Sequence, residues 1–197
     1  YVPSECNFQG TVEEYFGTII CEKKCLVKNR DKKMSDGLKM VGLEEGYLMR
    51  QYTTLSKGEQ KLIQIAGCLL SNPQFILLDD AMLPLDFRNQ KLLWKLLKTL
   101  KEKYNKTIIL ALDDSNMLYQ FTDYCLLLGS QTCIRQGRPN EIFQDVPFLL
   151  EQHLEIPDLV WFTYLAFTKK HVKLSYHKDI RDLIKDVYKH IDFTHQK

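Results

Sequence analysis

Leu55-Ser56-Lys57-Gly58-Glu59-Gln60, followed one helix later by Phe75-Ile76-Leu77-Leu78-Asp79-Asp80, is the stretch whose reading decides the fold. A serine and a glycine at the start of a helix present free backbone N–H groups and the positive end of the helix dipole, a setting that favours phosphate. Behind them Leu62, Ile63, Ile65, Ala66, Leu69 and Leu70 recur at helical spacing, and Asn72-Pro73 ends the helix. Four apolar residues then run into two carboxylates. That pattern predicts a fully buried strand whose acids lie at the C-terminal edge of a parallel sheet, where open α/β folds bind ligands. The first acid, Asp79, suits Mg2+, often through water, and the second, Asp80, suits orienting an attacking water. Taken singly, either motif reads as readily as a helix cap or a solvated strand edge.

Downstream, Leu92, Leu93, Leu96, Leu97 and Leu100 make a long amphipathic helix, and Thr107 to Leu112 a second buried strand. Helix and buried strand alternate, the signature of a parallel sheet with helices on its faces. A helix from about Ser115 leads to a third strand at Tyr124 to Leu128. Gly129 and Gly137 bracket a hairpin, and another helix begins near Pro139. From about residue 144 a helical tail takes over. In it Ile180, Leu183, Ile184, Val187, Tyr188 and Ile191 share one face, a stripe that packs on its own domain or on a second subunit. Upstream, Thr11 with Glu14 forms a capping box that opens a helix over residues 11–27. A polar stretch from Lys28 to Lys33 separates it from a second helical segment through Leu38, Val41 and Leu43, so residues 11–54 form a small helical subdomain.

The 197 residues are 45% hydrophobic, enough for a real core, and 27 basic against 25 acidic residues leave a net charge of only +2. No strong field calls for a nucleic acid or an anionic membrane. Six cysteines show no paired CxxC motif; Cys68 and Cys125 sit in apolar runs as small hydrophobes, and Cys21 and Cys25 read as surface thiols on one helix face. No apolar run approaches the roughly 18 to 20 residues that cross a bilayer. A reduced, cytoplasmic chain that reaches a membrane only through a partner is the expectation. Because Tyr1-Val2-Pro3 reads as the middle of a strand, the natural chain is expected to begin upstream of it.

Together and at this spacing the motifs resemble those of the ABC ATPases, and the likeness runs over almost the whole chain. Leu55, Ser56, Lys57, Gly58 and Glu59 match the family signature LSGGQ or LSGGE, with Lys57 for the first glycine. Phe75 to Asp80 match the Walker B strand and its following acid, Leu85-Asp86 the D-loop, and Thr107 to Asp114 the strand leading to the switch histidine. Gly137-Arg138-Pro139-Asn140-Glu141-Ile142-Phe143 resembles the segment that closes the core, and Tyr1 to Ser4 the strand into the Q-loop. Within the family the chain is most similar to the ATPases of energy-coupling-factor importers, through Val41-Gly42-Leu43, Ile63 to Gly67 and Leu154-Glu155-Ile156-Pro157.

The resemblance implies an α/β, RecA-like P-loop NTPase core, here partial, with an inserted ABC helical subdomain and a C-terminal helical tail. The divisions are 1–10 (Q-loop strand), 11–54 (helical subdomain), 55–143 (core) and 144–197 (tail). It further implies ATP and Mg2+ as cofactors, with Asp79 on the metal, Asp80, Asp113 and Ser4 at the catalytic positions, and Leu55 to Glu59 with Asp86 toward nucleotide. The implied partners are a second ABC ATPase subunit and a transmembrane transporter subunit, on the cytoplasmic face of the membrane, with no nucleic acid. The phosphate loop and the adenine-stacking aromatic would precede Tyr1.

Three positions depart from the family. Ser4 replaces the Q-loop glutamine, Asp80 the catalytic glutamate and Asp113 the switch histidine, so the chain's own site is expected to be degenerate. Its signature, which in ABC dimers acts on ATP held by the opposite subunit, keeps Ser56 and Gly58, and this favours a heterodimer. Rival readings are a pseudo-ATPase that holds a transporter together, a DNA-repair ABC ATPase, which would carry long coiled coils, and a generic α/β domain, against which the ordered motifs stand.

Overall fold

Thr11 starts the first helix, α1 (Val12–Glu22): its N–H donates to Glu14 Oε2 at 2.7 Å while its Oγ1 accepts from the Glu14 N–H at 3.2 Å, the capping box expected from sequence. The computed structural model describes residues 1–22, 29–129 and 131–194, arranged in two compact units, Tyr1–Leu112 and Asp113–Lys197. In the first, Val12 and Phe16 of α1 and Met34 and Leu38 of α2 (Arg30–Met40) pack on α3 (Lys57–Leu70). α2 begins inside the stretch read as a polar separator. Arg30 to Lys33 face solvent while Met34, Leu38 and Val41, one helical turn apart, are buried, so the polarity marks one face of a helix rather than a break. Lys28 lies outside the described residues, as does Cys25; Cys21 is exposed.

β1 (Phe75–Asp79), α4 (Phe87–Tyr104) and β2 (Thr107–Ala111) form a parallel crossover unit, with Phe75 opposite Thr107 and Asp79 opposite Ala111. Leu93, Leu97 and Leu100 give α4 its buried face. On the other edge of β1, Val2 makes a single parallel bridge: its N–H donates to Leu77 O at 2.8 Å and its carbonyl accepts from Asp79 N–H at 3.0 Å. The strands are not buried on both faces, as the continuous apolar runs suggested. Ile76 and Leu78 are 1% and 0% exposed, but Phe75, Leu77 and Ile109 are 68%, 40% and 53% exposed. Side chains alternate along a strand, so burial on both faces needs a layer on each side, and among the described residues only one side is covered.

The second unit contains α5 (Ser115–Phe121), the antiparallel hairpin β3 (Cys125–Gly129) and β4 (Thr132–Gly137), α6 (Pro139–Phe143), α7 (Val146–Glu151), α8 (Asp158–Lys170) and α9 (Ile180–Thr194). The hairpin expected between Gly129 and Gly137 starts earlier: Thr132–Gly137 is a single strand, and the third strand itself is the first arm. The third strand, however, pairs only with its hairpin partner among the described residues, in a sheet separate from β1 and β2. Tyr119, Cys125, Leu127, Ile142, Phe143, Val146, Leu149 and Val160 build the core of this unit, with Phe143 edge-on to Tyr119 at 6.0 Å. Of the α9 stripe only Leu183 is buried. Ile180, Ile184 and Tyr188 are exposed, and the Ile191 side chain falls outside the description. No described helix is long and apolar enough to cross a membrane.

Candidate functional site

Leu55, buried, anchors the turn from which α3 springs, and Ser56 caps it. The Ser56 Oγ accepts from the Glu59 N–H at 3.2 Å and the Glu59 Oε2 accepts from the Ser56 N–H at 2.8 Å. This capping box uses the donors at residues 56 and 59, while Lys57 and Gly58 lie between them in the first turn. The Tyr47 hydroxyl donates to Glu59 Oε1 at 2.7 Å, and the Arg50 guanidinium lies over the Tyr47 ring and 4.0 Å from that carboxylate. The hydrogen bond from Tyr47, then those from Ser56, hold the Glu59 carboxyl below the usual range. Glu59 therefore holds the helix start in place, and Lys57 is exposed beside it.

Gly58 is where two predicted motifs meet. A Cβ there would lie 2.9 Å from the Pro84 carbonyl oxygen, so the helix start sits against the loop that leads to Asp86. That loop is pinned: Leu85 N–H and Gln90 Nε2 both donate to Met82 O at 3.1 Å, and Asp86 caps α4 by accepting from Asn89 N–H at 2.8 Å. Asp79 is the last residue of β1, and its Oδ2 accepts from the Tyr1 hydroxyl at 3.2 Å. An open depression of about 410 Å³ lined by Tyr1, Leu77, Asp79 and Ala111 lies at that end of β1 and β2. Asp80 is exposed and has φ of +46°, a left-handed conformation that Asp and Asn adopt more readily than longer side chains.

The residue that sequence reasoning missed is Lys61. It is 2% exposed, and its Nζ donates to the carbonyls of Pro3 at 2.6 Å, Ser4 at 2.9 Å and Asp79 at 3.3 Å. Burial pushes its ammonium below the usual lysine range, against the pull of the Asp79 and Asp80 carboxylates. The signal was present: Lys61, Ile65 and Cys68 share one helix face, and a lone lysine on an apolar face needs acceptors. Within the first unit the structure thus brings Ser4, Asp79, Gly58 and the loop before Asp86 onto the start of α3. Asp113 belongs to the second unit, where it follows β2 as an exposed residue, and Asp114 beside it caps α5 through the Met117 N–H at 2.9 Å.

Among the described residues no three His, Cys, Asp or Glu side chains gather as a metal cage. One strand-end carboxylate fits Mg2+, which is held by one or two carboxylates together with substrate phosphates and water. Asp79 is the residue that would hold it.

A family profile described as ABC transporter matches residues 3–83. A putative ABC transporter ATP-binding protein from Pyrococcus furiosus is 34% identical over 159 residues, 80% of this chain and 57% of that protein. An energy-coupling factor transporter ATP-binding protein from Enterococcus faecalis is 31% identical over 167 residues, 81% of this chain and 55% of its own length. The chain thus spans little more than half the length of these curated relatives. Among solved structures, the dimeric post-hydrolysis state of an ATP-binding cassette bound to ADP and Pi matches with a TM-score of 0.60 and 28% identity, over 66% of this chain and 56% of the other.

Proposed function

Because the chain belongs to the ABC transporter ATPase family, we propose that it acts as the ATP-binding subunit of an importer of the energy-coupling-factor type, paired with a second ATPase. One observation carries this reading: the capped start of α3 is packed on the loop before Asp86, in the same unit that presents Asp79 and Asp80 at the end of a parallel strand. The relatives are named as ATP-binding proteins of transporters, and the solved cassette is a dimer.

Mg-ATP supplies the phosphoanhydride whose hydrolysis drives such transporters. Toward it Asp79 would hold the cation and Asp80 would orient water, with Ser4 and Asp113 at the remaining catalytic positions. The Ser56 hydroxyl, the amides of Lys57 and Gly58 and the Lys57 ammonium, with Leu55 and Glu59 fixing the turn and Asp86 the adjoining loop, would face ATP held by the partner subunit. In this reading the chain sits peripherally on the cytoplasmic face, bound to a transmembrane subunit. Its own site is degenerate and its signature serves the partner, so the pair is a heterodimer.

The alternative, a pseudo-ATPase that only holds the transporter together, is favoured by Ser4, Asp80 and Asp113 at the three family positions. Mg-ATP hydrolysis by the full natural chain, alone and with its partner ATPase, separates the two. Turnover in the mixture that is lost with Ser56→Ala supports the signature role. Turnover by this chain alone refutes the degenerate site, and none in either case leaves the pseudo-ATPase.

A further inference from the structure

We propose that Lys61 is a positioning residue of the ATP site, tying the backbone at Ser4 and Asp79 to the helix that begins at Ser56; this rests on the ATPase reading above. Its ammonium has three donors and, buried, needs an acceptor for each. The three acceptors are backbone carbonyls, 58, 57 and 18 residues away in sequence, rather than any carboxylate. Each carbonyl sits at a point that matters. Pro3 and Ser4 follow directly on the Val2 bridge to β1, and Asp79 ends β1 and is the residue that would hold Mg2+ in this reading. One atom of α3 therefore fixes both the end of β1 and the segment beside it.

Packing alone does not call for a lysine at this position. Leu62, Ile63, Ile65 and Ala66 around it are 0–1% exposed, and an apolar residue at 61 would fill the same space. It would also leave the Pro3 and Ser4 carbonyls without this donor. The Asp79 and Asp80 carboxylates act on the ammonium, so an opposite-signed control is possible. If Lys61 mattered only as a nearby positive charge, removing it would strengthen cation binding at Asp79. If it matters as a tether, removing it weakens that binding.

The test compares Lys61→Met, which keeps length and loses the donors, with Lys61→Arg, which keeps them, in the full natural chain. The first readout is amide hydrogen exchange without nucleotide. Lys61→Met is expected to speed exchange at residues 2–6 and 79–81 by about tenfold, the scale of one hydrogen bond to a charged group, with α1 and α4 unchanged and Lys61→Arg restoring protection. The second is the Mg2+ concentration that half-saturates binding of a non-hydrolysable ATP analogue to this chain alone, expected to rise about tenfold in Lys61→Met and to return toward wild type in Lys61→Arg. Unchanged exchange at those two segments, uniform loosening that Lys61→Arg does not rescue, or tighter Mg2+ dependence in Lys61→Met overturns the proposal. Should Lys61→Met fail to fold, Lys61→Gln, which keeps two donors at shorter reach, gives the same comparison. A wild-type chain that binds no Mg-ATP analogue and supports no turnover by its partner ATPase sinks the ATPase reading instead, and the exchange comparison still decides the tether.

Discussion

Gly58→Ala places one methyl group where the helix start meets the loop before Asp86. The added Cβ would stand 2.9 Å from the Pro84 carbonyl oxygen and 3.7 Å from Leu85 Cδ2, so that oxygen must retreat by about half an ångström to reach the 3.4 Å of ordinary contact. Pro84 has a fixed φ, and both sides of the loop are held by the hydrogen bonds to Met82 O and by the Asp86 cap. Overpacking against a backbone that cannot yield costs about 1–3 kcal/mol. Alanine in place of glycine in a helix returns up to about 1 kcal/mol, less in the first turn, so a net loss of about 1 kcal/mol is expected. Gly46→Ala is the control. Nothing lies within 4 Å of its Cβ, and relief of unfolded-chain entropy is expected to stabilise the protein by about 0.4–1 kcal/mol. The assay is urea unfolding in a Trp161→Phe background, so that Trp94 on α4 reports the unit carrying both glycines. A Gly58→Ala midpoint equal to or above that of Gly46→Ala refutes the close-approach argument.

Glu59→Gln should lower stability at pH 7 by about 1 kcal/mol and flatten its acid dependence. The folded pKa of Glu59 lies below the ordinary 4.5, so its contribution is present above that value and is lost as pH falls through the folded pKa; urea midpoints from pH 7 down to pH 3 check this. Asp80→Glu restores the missing methylene and is expected to raise single-turnover hydrolysis by up to about 100-fold. At φ of +46° the longer side chain should cost about 1 kcal/mol of stability, read from the same urea transitions. Phe143→Ala, at a site 2% exposed and edge-on to Tyr119, should destabilise the second unit by about 3–5 kcal/mol in calorimetry.

Local signals were legible where one residue type has one physical use. Thr11 with Glu14 gave a capping box and Asn72-Pro73 a helix end. Layering was not legible. Phe75-Ile76-Leu77-Leu78 has the same apolar run whether one face or both are covered, and only the tertiary structure shows Phe75 and Leu77 exposed. The polar run before Met34 misled for a related reason, since periodicity over six residues does not separate a loop from a solvent-facing helix turn. At the site, the spacing of signature and acids led to Gly58 and Asp79, but not to their partners. The Pro84 oxygen and the carbonyls on Lys61 are backbone atoms, and no residue identity announces where a carbonyl will point.

The paired acids after each of the first two strands have a second consequence, for aggregation. Phe75 to Leu78 and Ile108 to Leu112 are uncharged, β-prone windows, the kind of segment that associates in cross-β fashion while transiently exposed during folding. Each ends at once in two aspartates, Asp79-Asp80 and Asp113-Asp114. Stacked in register, these carboxylates would repel between neighbouring chains, the gatekeeper arrangement that protects unavoidable apolar strands. A change to Asn at these positions, chosen to silence chemistry, would therefore also remove a barrier to insolubility.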